Sequence, residues 1–176
     1  MNLKGTSIFL RALEPEDLDY LYEVENNMSI WELSSTQTPY SQFVLKQYIE
    51  RSLSADIYGL RELRLVICTH LNHSPIGLID LFDFDPKNKR AGIGIVISDS
   101  QNRGLGYASE ALELLIDYSF EVLDLHQLHC DILSENTNSL MLFQKFGFKE
   151  IGNKKDWIFD GQNYKDELLY QLINPK

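Results

Sequence analysis

Ala91-Gly92-Ile93-Gly94-Ile95-Val96-Ile97-Ser98, four intervening residues, and then Arg103-Gly104-Leu105-Gly106-Tyr107-Ala108 read as a strand, a glycine loop and the opening of a long helix. Alternation puts Ile93, Ile95 and Ile97 on one face of the strand and Gly92, Gly94, Val96 and Ser98 on the other. Two glycines on one face leave room for another group to approach the backbone. Ala108, Ala111, Leu112, Leu115, Tyr118 and Val122 recur at helical spacing, so the helix is expected from about Gly104 to Val122. The first N–H groups of such a helix lack internal partners and carry the positive end of its dipole. Glycines let that backbone curl around an anion, so the loop suits a phosphate, with Arg103 as an added charge. The alternative is that Gly104 and Gly106 only make a tight turn. The loop is not a Walker sequence, because Gly-Lys-Ser/Thr does not follow at the required spacing. A dinucleotide fingerprint would place its third glycine where Ser109 stands.

Upstream, Ser7–Ala12 alternates as a strand, and Pro15 opens a helix carrying Leu18, Leu21, Tyr22 and Glu25. Ser34–Pro39 reads as a polar loop and Phe43–Leu53 as a second helix. Glu62–Thr69 and Pro75–Phe84 are strands, with a turn at Pro86–Lys89 before the glycine strand. Downstream, Leu128–Leu133 is a strand. Asn136 caps a helix that ends just before Gly147. Phe148–Ile151, Trp157–Phe159 and Glu167–Leu172 supply the last strands, with a hairpin turn at Gly161 and Asn163. This order predicts an α/β or α+β sheet with helices on both faces. With no linker or repeat, residues 1–176 are expected to be a single domain.

Composition narrows the function. The 26 acidic and 16 basic side chains give a formal charge of −10, which argues against a nucleic-acid partner. The same charge suits a cationic substrate, although solubility alone also accounts for it. No apolar run is long enough for a membrane helix and the N-terminus lacks a secretory core, so a cytoplasmic location is expected. Cys68 and Cys130 lie in apolar strands and read as buried thiols. His70, His73, His126 and His129 lack metal-ligand spacing, so no metal is expected. Trp31, Phe43, Tyr48, Trp157 and Phe159 read as core residues before pocket residues.

The glycine loop resembles the pyrophosphate motif of the GNAT (GCN5-related N-acetyltransferase) superfamily, Gln/Arg-x-x-Gly-x-Gly/Ala, with Arg103, Gly106 and Ala108 in its places. Glu135-Asn136-Thr137-Asn138-Ser139 and Phe143-Gln144-Lys145-Phe146-Gly147-Phe148 resemble the superfamily's second block. Leu10–Leu18 is similar to the opening of the subgroup holding bacterial spermidine N-acetyltransferases and ribosomal-protein N-terminal acetyltransferases. Glu25-Asn26-Asn27, Asp117–Phe120, Leu123–His126 and Phe159–Tyr164 are similar to the spermidine enzymes in particular.

The resemblance implies a mixed, mostly antiparallel sheet, splayed between its fourth and fifth strands, here Ala91–Ser98 and Leu128–Leu133. It implies acetyl-CoA as co-substrate, held by Ile97, Ser98, Arg103, Gly104, Leu105, Gly106, Tyr107, Ala108, Asn136, Asn138, Ser139, Phe143 and Lys145. Backbone groups near Ile97 and Ser98 would polarise the thioester carbonyl. A primary amine would attack directly, after losing its proton to a base or a water relay. Phe143 stands where family members often have a tyrosine as acid, and phenylalanine donates no proton. Three outcomes follow: the thiolate leaves unaided, water or a hydroxyl such as Tyr107 or Ser139 assists, or activity is weak or absent. The spermidine enzymes' glutamate pair falls near Gln37-Thr38 here, both uncharged. Glu32, Gln37, Asp80 and Asp83 are therefore the acceptor candidates, Asp83 foremost. The expected activity is acetylation of a small cationic amine such as a polyamine. The rivals are protein N-terminal acetylation and a non-catalytic acetyl-CoA-binding module. The subgroup's habit of self-association implies a homo-oligomer.

Overall fold

The computed structural model describes residues 3–31 and 36–176. Its elements run β1 (Ile8–Ala12), α1 (Leu18–Glu25), α2 (Gln42–Ser54), α3 (Ile57–Leu60), β2 (Leu63–Thr69), β3 (Pro75–Asp85), β4 (Arg90–Ile97), α4 (Tyr107–Glu121), β5 (Gln127–Leu133), α5 (Thr137–Lys145), β6 (Lys149–Phe159) and β7 (Tyr164–Ile173). The strands form one sheet in the order β1-β2-β3-β4-β5-β7-β6. Neighbours are antiparallel except β4 and β5, which are joined by α4 and run parallel. That parallel pairing covers only Arg90–Gln127, Ala91–Leu128 and Gly92–His129. Beyond Gly92 the two strands no longer pair, which leaves the expected splay between the fourth and fifth strands.

Alternation along the strands feeds two apolar layers. One face carries Ile8, Leu10, Ile79, Leu81, Ile93 and Leu128, packed under Leu112 and Leu115 of α4 and Phe143 of α5. The other carries Val66, Cys68 and Leu78 under Leu21 and Val24 of α1 and Leu45 and Ile49 of α2. Helices thus cover both faces. Cys68 and Cys130 are buried free thiols. Among the described residues, no helix is long and apolar enough to cross a membrane.

Local chemistry sets the boundaries. Ser41 caps α2 by accepting from Val44 N at 3.2 Å. Asn136 caps α5 by accepting from Ser139 N at 3.2 Å, and Gly147, at φ 86°, follows its end. The long helix starts at Tyr107, three residues later than its apolar period suggests, because Gly104 and Gly106 sit in the left-handed region at φ 76° and 88°. The two strands expected at Phe148–Ile151 and Trp157–Phe159 are one strand, β6. Its register shifts near Glu150/Gly152 and Lys154/Ile158 interrupt the alternation. The short α3, capped by Asp56, was not anticipated. Asp160 accepts from Gln162 N and Asn163 N at 2.9 and 2.7 Å and closes the β6–β7 hairpin.

Candidate active site

The glycine loop is an open cradle. No atom lies within 4 Å of a Cβ added at Gly104 or Gly106. The N-terminus of α4 follows at once, so its unpaired N–H groups face a space shaped for an anion. The residues present therefore fit the pyrophosphate of a coenzyme A. Arg103 does not stand over the cradle: its Nε and Nη2 donate to Ile97 O at 3.2 and 3.1 Å and pin the end of β4. Leu105 is exposed, while Tyr107 and Ala108 pack partly into the core. Lys145 Nζ, at the end of α5, reaches Ser109 Oγ in the first turn of α4 at 3.2 Å. Asn138 is exposed and Ser139 half-buried in the first turn of α5.

Ser98 N donates to Ile76 O at 3.0 Å. Its hydroxyl donates to the same carbonyl and contacts Tyr20 OH, both at 3.1 Å. Successive residues of a strand aim their peptide groups to opposite sides. Ser98 thus addresses β3, and the peptide groups of Ile97 and Ile95 address the gap where β5 has parted. Burial pushes the Tyr20 phenol up to about 12, so it stays protonated. Phe143 is 4% exposed and meets the Phe148 ring edge-on at 5.0 Å.

On the α1–α2 side of the gap lies a cavity of about 420 Å³. Gly94, Ile95 and Val96 form one wall. Asp80 and Phe82 of β3, Arg64 of β2 and Glu25 of α1 form another, with Asp131 of β5 and Glu167 of β7 opposite. The room that Gly92 leaves is filled by this chain's own Phe82: a Cβ there would lie 2.2 Å from its ring. Gly94 remains open.

The cavity's charges come in two clusters. Arg64 forks onto Asp80, Nε to Oδ1 at 2.9 Å and Nη2 to Oδ2 at 2.7 Å. It also pairs with Glu25 and lies over the Tyr48 ring at 5.4 Å. Burial pulls this guanidinium down, but Asp80 and then Tyr48 and Glu25 hold it above its ordinary value. In the second cluster Lys154 Nζ bridges Asp131 Oδ1 at 2.7 Å and Glu167 Oε2 at 3.0 Å. Four carboxylates thus face two cations. His129, on the same face of β5 as Asp131, meets Phe82 edge-on at 6.1 Å, and burial lowers its pKa.

Of the acceptor candidates, Asp80 is in this cavity. Asp83 is not: it sits at the β3–β4 irregularity with φ 49°, exposed, beside a separate cleft shared with Arg61 and Lys87. Gln37 is exposed, and Glu32, like Ser34 and Ser35, lies outside the described residues. Arg64, Asp131, Lys154 and Glu167 were not among the site candidates, and Glu25 entered the sequence reading only as a helix position and through a resemblance. For Arg64 and Asp131 the one local signal was a charged residue inside a mainly apolar strand. Among the described residues no group of three His, Cys, Asp or Glu side chains is placed to hold a metal ion.

Residues 7–149 match the GNAT acetyltransferase domain. The chain belongs to the GNAT family. This GNAT enzyme is an acetyl-CoA-dependent N-acetyltransferase. It is 30% identical to the spermidine N(1)-acetyltransferase of Escherichia coli strain K12, over 92% of this chain and 83% of that one. A crystal structure of spermidine N-acetyltransferase from Vibrio cholerae in complex with CoA and spermine is similar at TM-score 0.87 and 25% identity, covering 96% of each chain. A dodecameric structure of the Vibrio cholerae enzyme is similar at TM-score 0.80 and 27% identity, covering 96% of this GNAT chain and 95% of that one.

Proposed function

We propose that this enzyme acetylates a primary amine of a polyamine by direct attack within a ternary complex. The observation that carries this reading is the acid-lined cavity opening on the unpaired edge of β4. Acetyl-CoA supplies an acyl group activated as a thioester. The Gly104–Gly106 cradle and the start of α4 take the pyrophosphate, and Lys145 adds positive charge beside that first turn. The peptide groups of Ile95 and Ile97 bind along the gap and polarise the thioester carbonyl.

The acceptor arrives as an ammonium with an ordinary pKa of about 10 and must lose a proton before it attacks. Glu25, Asp80, Asp131 and Glu167 draw the polyamine in through its ammonium groups. His129, kept neutral by burial, takes the proton through water. On the leaving side Phe143 offers no proton, and the Ser98 hydroxyl is committed to Ile76 O. Tyr107, at the start of α4, and Ser139, in the first turn of α5, are the remaining hydroxyl candidates. A thiol of ordinary pKa about 8.5 also leaves readily as thiolate. The exposed Ile151, Trp157, Phe159 and Tyr164 on the β6–β7 hairpin fit a homo-oligomer, as does the dodecameric neighbour.

The test is thiol release from acetyl-CoA with spermidine, spermine and short peptides bearing free N-termini, each product weighed for one added acetyl group. Saturable turnover of the polyamines and not of the peptides is expected. Turnover of peptides alone would move the enzyme to protein N-terminal acetylation. Tight coenzyme binding without turnover of any acceptor would make it a binding module.

A further inference from the structure

Lys154 lies outside the lining of the acceptor cavity, yet it governs the charge of one wall. It is the direct cross-strand partner of Glu167, and it reaches over β7 to Asp131 on β5. Two carboxylates and one ammonium leave that wall with one formal negative charge in excess. The opposite wall has the same balance: Glu25 and Asp80 share Arg64. The two balances differ in rigidity. Arg64 is locked by a bidentate fork and an aromatic ring. Lys154 is a single flexible chain on an edge strand, with its side chain 30% exposed.

We propose that Lys154 is a specificity-determining residue, which sets the number of positive charges the cavity accepts by cancelling one of the two carboxylates at the β5–β7 wall. This rests on the reading of the enzyme as a polyamine acetyltransferase. The attacking amine is uncharged when it reacts, so the excess negative charges serve the ammonium groups that do not react. One excess charge on each wall fits an acceptor that keeps two ammonium groups, a triamine. The walls stand on either side of β4 where β5 has parted from it, so they are farther apart than two strand spacings of about 10 Å and one group cannot satisfy both. Burial pulls the Lys154 ammonium down, but its bonds to Asp131 and Glu167 hold it above the ordinary lysine value. The counter-charge is therefore constant at neutral pH, and Lys154 is not itself a nucleophile.

Lys154→Met leaves two uncancelled carboxylates at that wall. The ratio of kcat/KM for the tetraamine spermine over that for the triamine spermidine is expected to rise about tenfold, through KM rather than kcat. Lys154→Arg should keep the native ratio. Lys154→Met/Asp131→Asn removes one charge of each sign and the ion pair with them, and it should restore the native ratio. A purely structural clamp from β6 to β5 would leave the double variant as impaired as the single one, with the ratio unmoved in both. Calorimetric titration of spermidine and spermine into wild type and variants reads the same preference without turnover. An unchanged preference in Lys154→Met overturns the proposal whether or not the enzyme turns over polyamines. A shifted preference in a protein that acetylates neither amine would overturn the functional reading and leave the role of Lys154 standing.

Discussion

Burial lowers the pKa of the His129 imidazole, against the opposing pull of Asp131 and Asp83. The unfolded chain titrates near the ordinary value of about 6.5. Between the folded and unfolded values the unfolded state holds the extra proton, so stability falls as pH drops through about 6.5 towards the lower folded value. Above that window His129 contributes no slope. Thermal midpoints measured from about pH 8 to about pH 5 should therefore fall more steeply for wild type than for His129→Asn, with the gap opening only below about pH 6.5. Parallel curves would show that another group sets the acid sensitivity. At this scale the sequence was informative in part. Asp80 was among the acceptor candidates, but its partners Arg64 and Glu25 are separated from it by 16 and 55 positions. Asp131, Lys154 and Glu167 meet only because β7 lies between β5 and β6, an order that no local signal encodes. Asp83 was the foremost acceptor candidate, and the irregularity at the end of β3 turns it elsewhere.

Elements carry the site through register. Phe82 is opposite Gly92 in the β3–β4 ladder, and its ring fills the volume that a side chain at 92 would need. The same ring lines the acid-lined cavity proposed for the acceptor and meets His129 edge-on. Gly92→Ala must push Phe82 aside, and overpacking of this kind costs about 1–3 kcal/mol. Chemical denaturation should show that loss. Combining it with Phe82→Leu should give a smaller total than the sum of the two single losses, because the pair shares one volume. Strict additivity would mean that Phe82 is not what Gly92 accommodates. The strand, glycine loop and helix were legible because period 2, positive-φ glycines and period 3.6 are all local signals. β6 was not legible as one strand, since two register shifts break its alternation. With four residues, α3 is too short for any period to emerge. The filling of Gly92 was invisible for a further reason: it depends on the pairing of two strands, whereas the glycine pattern suggested only that space exists.

The whole molecule adds a field. A formal charge of −10 attracts polycations before any contact forms. It also repels the phosphates of acetyl-CoA, so salt acts on the two substrates with opposite sign. Saturating the enzyme with acetyl-CoA isolates the effect on the amine. Under that condition kcat/KM for spermidine should fall about tenfold as ionic strength rises from about 0.01 M to about 0.15 M, where the Debye length shrinks from about 30 Å to about 8 Å. Steering is the part that disappears. The close pairing expected inside the cavity is screened much less, because water and mobile ions are partly excluded there. The decline should therefore flatten at higher salt rather than run to zero, and kcat should barely move. An acceptor amine without further positive charge feels little of this field and should show a shallow dependence in the same series. Equal slopes for the two acceptors would mean that the acidic surface serves solubility alone. A spermidine slope that continues undiminished through high salt would place the amine on the exposed surface instead of between the Arg64 and Lys154 walls.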